Sequence, residues 1–189
     1  SAAEPTVGPE RYLPRVAVRA GSPHASFVVK ETGEPFAVKG FNYVRLRHTH
    51  ATFEAATRTT PAHYDAAKAE AMFETLQRHG YNTVRVFLCG RHPKDPGIAG
   101  DFGATRGLHG PYLENFVDFL HRARRHGVYV LPTFGDGELP RNASYREKLA
   151  DLPHGKNAIY LTREGIEAKK EYLTEFLRFI ADRDRRLLT

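Results

Sequence analysis

Apolar residues recur along this chain with two alternating periods. Residues 36–44 (FAVKGFNYV), 82–88 (NTVRVFL) and 128–133 (VYVLPT) are short runs rich in β-branched and aromatic side chains, and they predict strands. Between them the spacing becomes helical. Ala69, Met72, Phe73 and Leu76 fall at i, i+3, i+4 and i+7, and Leu113, Phe116, Val117, Leu120 and Ala123 stripe a second segment. Gly80 and Gly127 follow these stripes as C-terminal stops, while Pro111 suits the first turn of the second helix. A third stripe, Leu173, Phe176, Leu177 and Ile180, has Thr162 as its cap, with Glu164 and Glu167 early and Arg183 late, the order that the helix dipole favours. Leu187 and Leu188 predict the opening of a fourth strand.

Strict alternation of strand and helix specifies an α/β fold with parallel strands and helical crossovers, either an open doubly wound sheet or a (β/α)8 barrel. Units of about 50 residues would bring eight of them to roughly 400 residues, so the chain supplies about three. Ahead of them, residues 15–20 and 27–29 alternate weakly and predict a hairpin placed to close the bottom of a barrel. The expected organisation is an N-terminal segment, 1–35, followed by the first βα units of a barrel domain, 36–189.

The second strand carries one arginine, Arg85, in its middle. Val84, Val86 and Leu88 share one face, and Thr83, Arg85 and Phe87 share the other. Both faces read as buried, as in a parallel sheet covered by helices. A buried guanidinium needs a carboxylate beside it, because leaving one member of a buried ion pair alone costs about 3–5 kcal/mol. No GxGxxG or GxxxxGK[ST] follows any strand, so nothing marks a nucleotide or dinucleotide cofactor site.

Three stretches, TGEPFAVKGFNY (32–43), FETLQRHGYNTVRVFL (73–88) and YLENFVDFLHRARRHGVYVLPTF (112–134), in this order and spacing, resemble the opening of the retaining glycoside hydrolases with a (β/α)8 barrel, closest to family five and its mannanase-like relatives. The resemblance runs from about residue 27 to the end of the chain. It implies a TIM barrel acting, once complete, on a β-linked polysaccharide such as mannan or β-glucan, by a double displacement that needs no cofactor. It further implies that Arg85 sits beside the catalytic nucleophile and keeps it ionised. Two carboxylates about 5–5.5 Å apart are required. In that clan they stand at the ends of strands four and seven, beyond what this chain supplies, so the rest of the barrel is an expected partner, from the same protein or a second chain. Asn42 and Tyr43 after the first strand, and Phe134 and Asp136 after the third, are candidate sugar-binding residues. Each also has a plainer reading: strand end, packing ring or solvated turn. Family five commonly ends its third strand with histidine, where this chain has LPTFGD, which leans the resemblance towards mannanase-like or divergent enzymes.

Two further readings stand beside the enzyme. A non-catalytic carbohydrate-binding or scaffold fragment would keep the first strands without the carboxylates. A metal-dependent barrel hydrolase is suggested by His48 and His50, although zinc needs three or four ligands and these are two. Asp136 and Glu138, in GDGE, form a tempting carboxylate pair that reads more simply as turn chemistry.

Composition narrows the partners. The net charge is +6 and the pI near 9.5, but the arginines at 122, 124, 125, 183, 185 and 186 fall on or beyond the predicted helices, with no nucleic-acid recognition motif beside them. They read as solvated exterior. No apolar run approaches the roughly 20 residues needed to span a bilayer, so no membrane partner is expected. The single cysteine, Cys89, excludes an intrachain disulfide and reads as a small buried residue. A secreted or periplasmic location is expected from the family's substrates rather than from any leader peptide, and Asn142-Ala-Ser is a glycosylation acceptor in a eukaryotic secretory pathway. The segments 45–62, 90–110 and 135–161 all follow strands, the side on which barrel enzymes build their sites.

Overall fold

A computed structural model of the chain describes residues 13–21, 23–43, 53–56, 62–88, 97–100, 107–134 and 157–188. Two short strands, β1 (Val16–Arg19) and β2 (Ser26–Val29), pair antiparallel with Val16 opposite Val29 and Arg19 opposite Ser26. The hairpin expected at the N-terminus is therefore present. The chain then enters β3 (Gly40–Tyr43), helix α1 (Ala66–Arg78), β4 (Thr83–Leu88), a 3-10 turn (Gly97–Ala99), helix α2 (Gly110–Arg125) and β5 (Tyr129–Phe134). A single turn, α3 (Ala158–Leu161), leads into the long helix α4 (Arg163–Asp184).

Strands β3, β4 and β5 form one parallel sheet in sequence order, with β4 in the centre. The first strand begins later than its apolar run suggested, at Gly40 rather than Phe36. Gly40 lets it begin there at all: a Cβ on this residue would stand 2.1 Å from the Thr83 carbonyl oxygen, so only glycine permits β3 to close on β4. The chain does not open a fourth strand at Leu187, because Arg185–Leu187 form a 3-10 turn. Asp184 caps that turn, its carboxylate accepting from the Arg186 backbone N–H at 3.0 Å, and a tight turn is what such a cap favours over extended chain.

The helices begin and end where local chemistry dictates. Asp65 accepts from the Lys68 N–H at 3.1 Å to cap α1, and Thr162 accepts from the Gly165 N–H at 3.1 Å to cap α4. Gly80 and Gly127 take the left-handed conformation that ends α1 and α2, with φ of 72° and 71°. All three long helices pack on one face of the sheet, where Val84, Val86 and Leu88 meet Phe73, Phe116, Phe119 and Phe176 in a single buried cluster. Phe53 is its hub, its ring 5.1 Å from both Phe116 and Phe119 in edge contacts. The hairpin joins the opposite end: the Phe36 ring meets Tyr129 edge-on at 5.1 Å, at the start of β5.

Charge on the helices is more interlocked than a solvated exterior. Glu70 of α1 receives Arg122 at 2.6 Å, Arg125 at 2.7 Å and His126 at 2.7 Å, all from α2 or its cap. Burial pushes the Glu70 carboxyl up, but the bonds from His126, Arg122 and Arg125 outweigh it and hold the group below its usual range. Arg124 is buried against Asp184, with Nη1 to Oδ2 at 2.9 Å.

Candidate functional site

Because β3, β4 and β5 run parallel, their C-terminal ends at Tyr43, Leu88 and Phe134 lie along one edge, and the pleat sorts their side chains to two faces. The register sets Asn42 opposite Arg85 and Arg85 opposite Leu131; one pleat further on, Phe87 stands opposite Thr133. These five residues share the face that no described helix covers. It is open: Leu131 is 56% exposed, and Asn42 and Arg85 are exposed as well.

The Arg85 side chain leans along the strand towards that C-terminal edge. Its Nε donates to the Thr133 hydroxyl at 2.7 Å, and its guanidinium carbon lies 4.9 Å from the Phe87 ring centroid. The burial expected of Arg85 is not found in this chain. Among the described residues the guanidinium is exposed and its partners are a hydroxyl and an aromatic face. The physical reason is the one-sided packing of the helices: a charge on the uncovered face stays hydrated, and no counter-charge is needed to offset desolvation. None of the residues of β3, β4 or β5 is aspartate or glutamate.

The two aromatic candidates, Tyr43 and Phe134, lie on the other face. Tyr43 pairs with Val86, and Phe134 pairs with Leu88, so both point to the helix-covered face rather than towards Arg85. Tyr43 stacks on Phe119 at 6.2 Å, and Phe134 packs edge-on against Phe176 at 4.8 Å and Tyr172 at 5.5 Å. These rings extend the core. Asp136, Glu138, His48, His50 and Cys89 lie outside the described residues.

Thr133 is the residue that the sequence reading passed over. Its signal was an aliphatic hydroxyl near the end of a mostly apolar strand, YVLPTF, one pleat beyond the position opposite Arg85. Beyond the edge of the sheet, Glu54 is fully buried and its Oε2 accepts from the Gly97 N–H at 2.9 Å. Its backbone carbonyl takes the His63 N–H at 2.9 Å, and the neighbouring Phe53 carbonyl takes Asn115 Nδ2 at 3.0 Å. Segments that follow β3 and β4 are thereby tied to each other and to the start of α2. His109, at the cap of α2, is held below its ordinary pKa by burial, so it is neutral around pH 7. Among the described residues no group of three or more His, Cys, Asp or Glu is placed to hold a metal ion, and no helix is long and apolar enough to cross a membrane.

No protein-family model matches the chain, and the search of curated proteins found no match. A solved structure of a glycoside hydrolase is similar over 92% of this chain at 14% identity with a TM-score of 0.44. The chain spans 39% of the length of that structure.

Proposed function

We propose that this chain supplies the N-terminal hairpin and the first three βα units of a (β/α)8-barrel glycosidase, related to family five and its mannanase-like members, acting on a β-linked polysaccharide with retention of configuration. The observation that carries the reading is the Arg85 guanidinium, set on the uncovered face of a parallel sheet and carried towards its C-terminal edge by Thr133 and Phe87. That is the edge where barrels assemble their chemistry. In the complete barrel the guanidinium holds the nucleophilic glutamate ionised, lowering its pKa by direct charge and hydrogen bonding. Asn42, opposite Arg85, bonds sugar hydroxyls, and Asp136 remains a candidate for the same role. The nucleophile and the acid/base carboxylate come from other parts of the barrel, since β3, β4 and β5 carry neither. A polymeric substrate goes with a secreted or periplasmic enzyme.

The same lack of strand carboxylates favours, as a second reading, a scaffold that binds carbohydrate without cutting it. Hydrolysis of aryl β-glycosides, β-mannan and β-glucan by the complete protein separates the two. The expected result is turnover with a retained anomer by proton NMR, lowered on the order of 10²-fold in Arg85→Lys, which keeps charge but loses the planar fork. Polysaccharide binding without any hydrolysis would leave the scaffold reading standing and end the enzymatic one.

A further inference from the structure

Arg85 makes two contacts on this face, and each comes from a different strand. Phe87 follows it by two residues on β4 and so shares its face, with the guanidinium carbon over its ring, 4.9 Å from the centroid. Thr133 stands on β5, opposite Phe87, and its hydroxyl takes the Nε–H at 2.7 Å. Threonine is stiff at χ1, so once β5 is paired the hydroxyl is fixed in space. A guanidinium carries five N–H donors in a rigid plane. With Nε engaged by Thr133 and the Phe87 ring beside the guanidinium, rotation about the last side-chain bonds is restricted. The Nη1–Nη2 fork is left to receive a planar oxyanion. Among the described residues no carboxylate occupies it.

We propose that Thr133, with Phe87, is a positioning residue for Arg85: it acts through the guanidinium, orienting its fork towards a carboxylate, and touches no substrate itself. This rests on the glycosidase reading for its catalytic consequence but not for its geometric one. A lysine at position 85 would keep the charge, yet it has no Nε–H for the hydroxyl and no plane for the ring.

The test uses the complete protein with Thr133→Val, which matches the shape and strand preference of threonine without its hydroxyl, and Thr133→Ser, which restores the hydroxyl. The first readout is the Arg85 Nε–H resonance in a 15N-labelled sample. It should be protected from solvent exchange in the native protein, lose that protection in Thr133→Val and regain it in Thr133→Ser. The second is the pH profile of glycoside hydrolysis. Thr133→Val should lower kcat by about tenfold with KM little changed, and move the acidic limb to higher pH as the nucleophile loses its oriented partner. An Nε–H equally protected in native protein and Thr133→Val overturns the proposal whatever the activity. Lost protection with an unshifted acidic limb in an active enzyme also overturns it, since the orientation would then have no bearing on the carboxylate. If the native protein hydrolyses no glycoside, the glycosidase reading fails while the Nε–H resonance still decides whether Thr133 fixes Arg85.

Discussion

Two arginines in this chain answer the same physical question in opposite ways. Arg85 keeps its guanidinium in water and makes do with a hydroxyl and a ring, whereas Arg124 is buried and takes Asp184, the two side chains being 7% and 8% exposed. Removing the carboxylate takes the charged partner at 2.9 Å from a buried guanidinium, so Asp184→Asn should lower stability in urea unfolding, by up to about 3–5 kcal/mol. Removing the buried cation as well, in Arg124→Met with Asp184→Asn, should recover part of that loss, since asparagine can still cap the turn at Arg186. The pH dependence has a definite sign. Arg186 first, then its backbone N–H and Arg124, hold the Asp184 carboxyl far below the usual carboxylate range against the opposing pull of burial. A depressed pKa contributes stability that is fully present above the unfolded value near 3.9 and is lost as pH falls further towards the folded one. The native protein should therefore lose stability steeply below about pH 4, and Asp184→Asn less steeply, when denaturant midpoints are compared between pH 2 and 7.

At the level of elements, β3 and β4 meet without room for a side chain at Gly40. Gly40→Ala sets a Cβ against the Thr83 carbonyl oxygen, a backbone atom that cannot rotate away, so β3 must part from β4 or shift along it. The expected loss is about 1–3 kcal/mol or more by thermal unfolding, with Asn42 displaced from its place opposite Arg85. The helices were legible in the sequence because their stripes and caps are local: Pro111, Thr162, Gly80 and Gly127 all act where they were read, and Asp65 adds a cap that the structure reveals. The position of Arg85 on the face opposite Val84 and Val86 was legible for the same reason, since parity along one strand needs no partner. Its surroundings were not. Which residue of β5 faces Arg85 is decided by the register between strands, and YVLPTF has no alternation from which to read it. Asn42 and Tyr43 carried a warning that parity alone could have given: neighbours on one strand point to opposite faces, so both could not serve one site. Leu187 and Leu188 looked like a strand because apolar pairs do, but the capping carboxylate of Asp184, one turn earlier, won locally.

Among the described residues, the parallel sheet has helices on one side only, and β3 and β5 each leave an outer edge unpaired. Leu131 on the uncovered face, with Phe41 and Tyr81 beside the β3 edge, adds exposed apolar surface. Such edges and faces invite association. The 189-residue chain on its own should sediment as a concentration-dependent mixture, with a melting temperature that rises with protein concentration; a monodisperse monomer with a concentration-independent melt would contradict this. The central position of β4 has another consequence, in time rather than in space. Its amides are paired on both sides and its apolar face is sealed by the helices, so they should be among the slowest in the chain to exchange with deuterium, while those of β5 need only an edge to fray. Arg85 is thus anchored in the most persistent strand and held by a hydroxyl from a more transient one, and a brief opening of β5 would free the guanidinium without unfolding the protein around it.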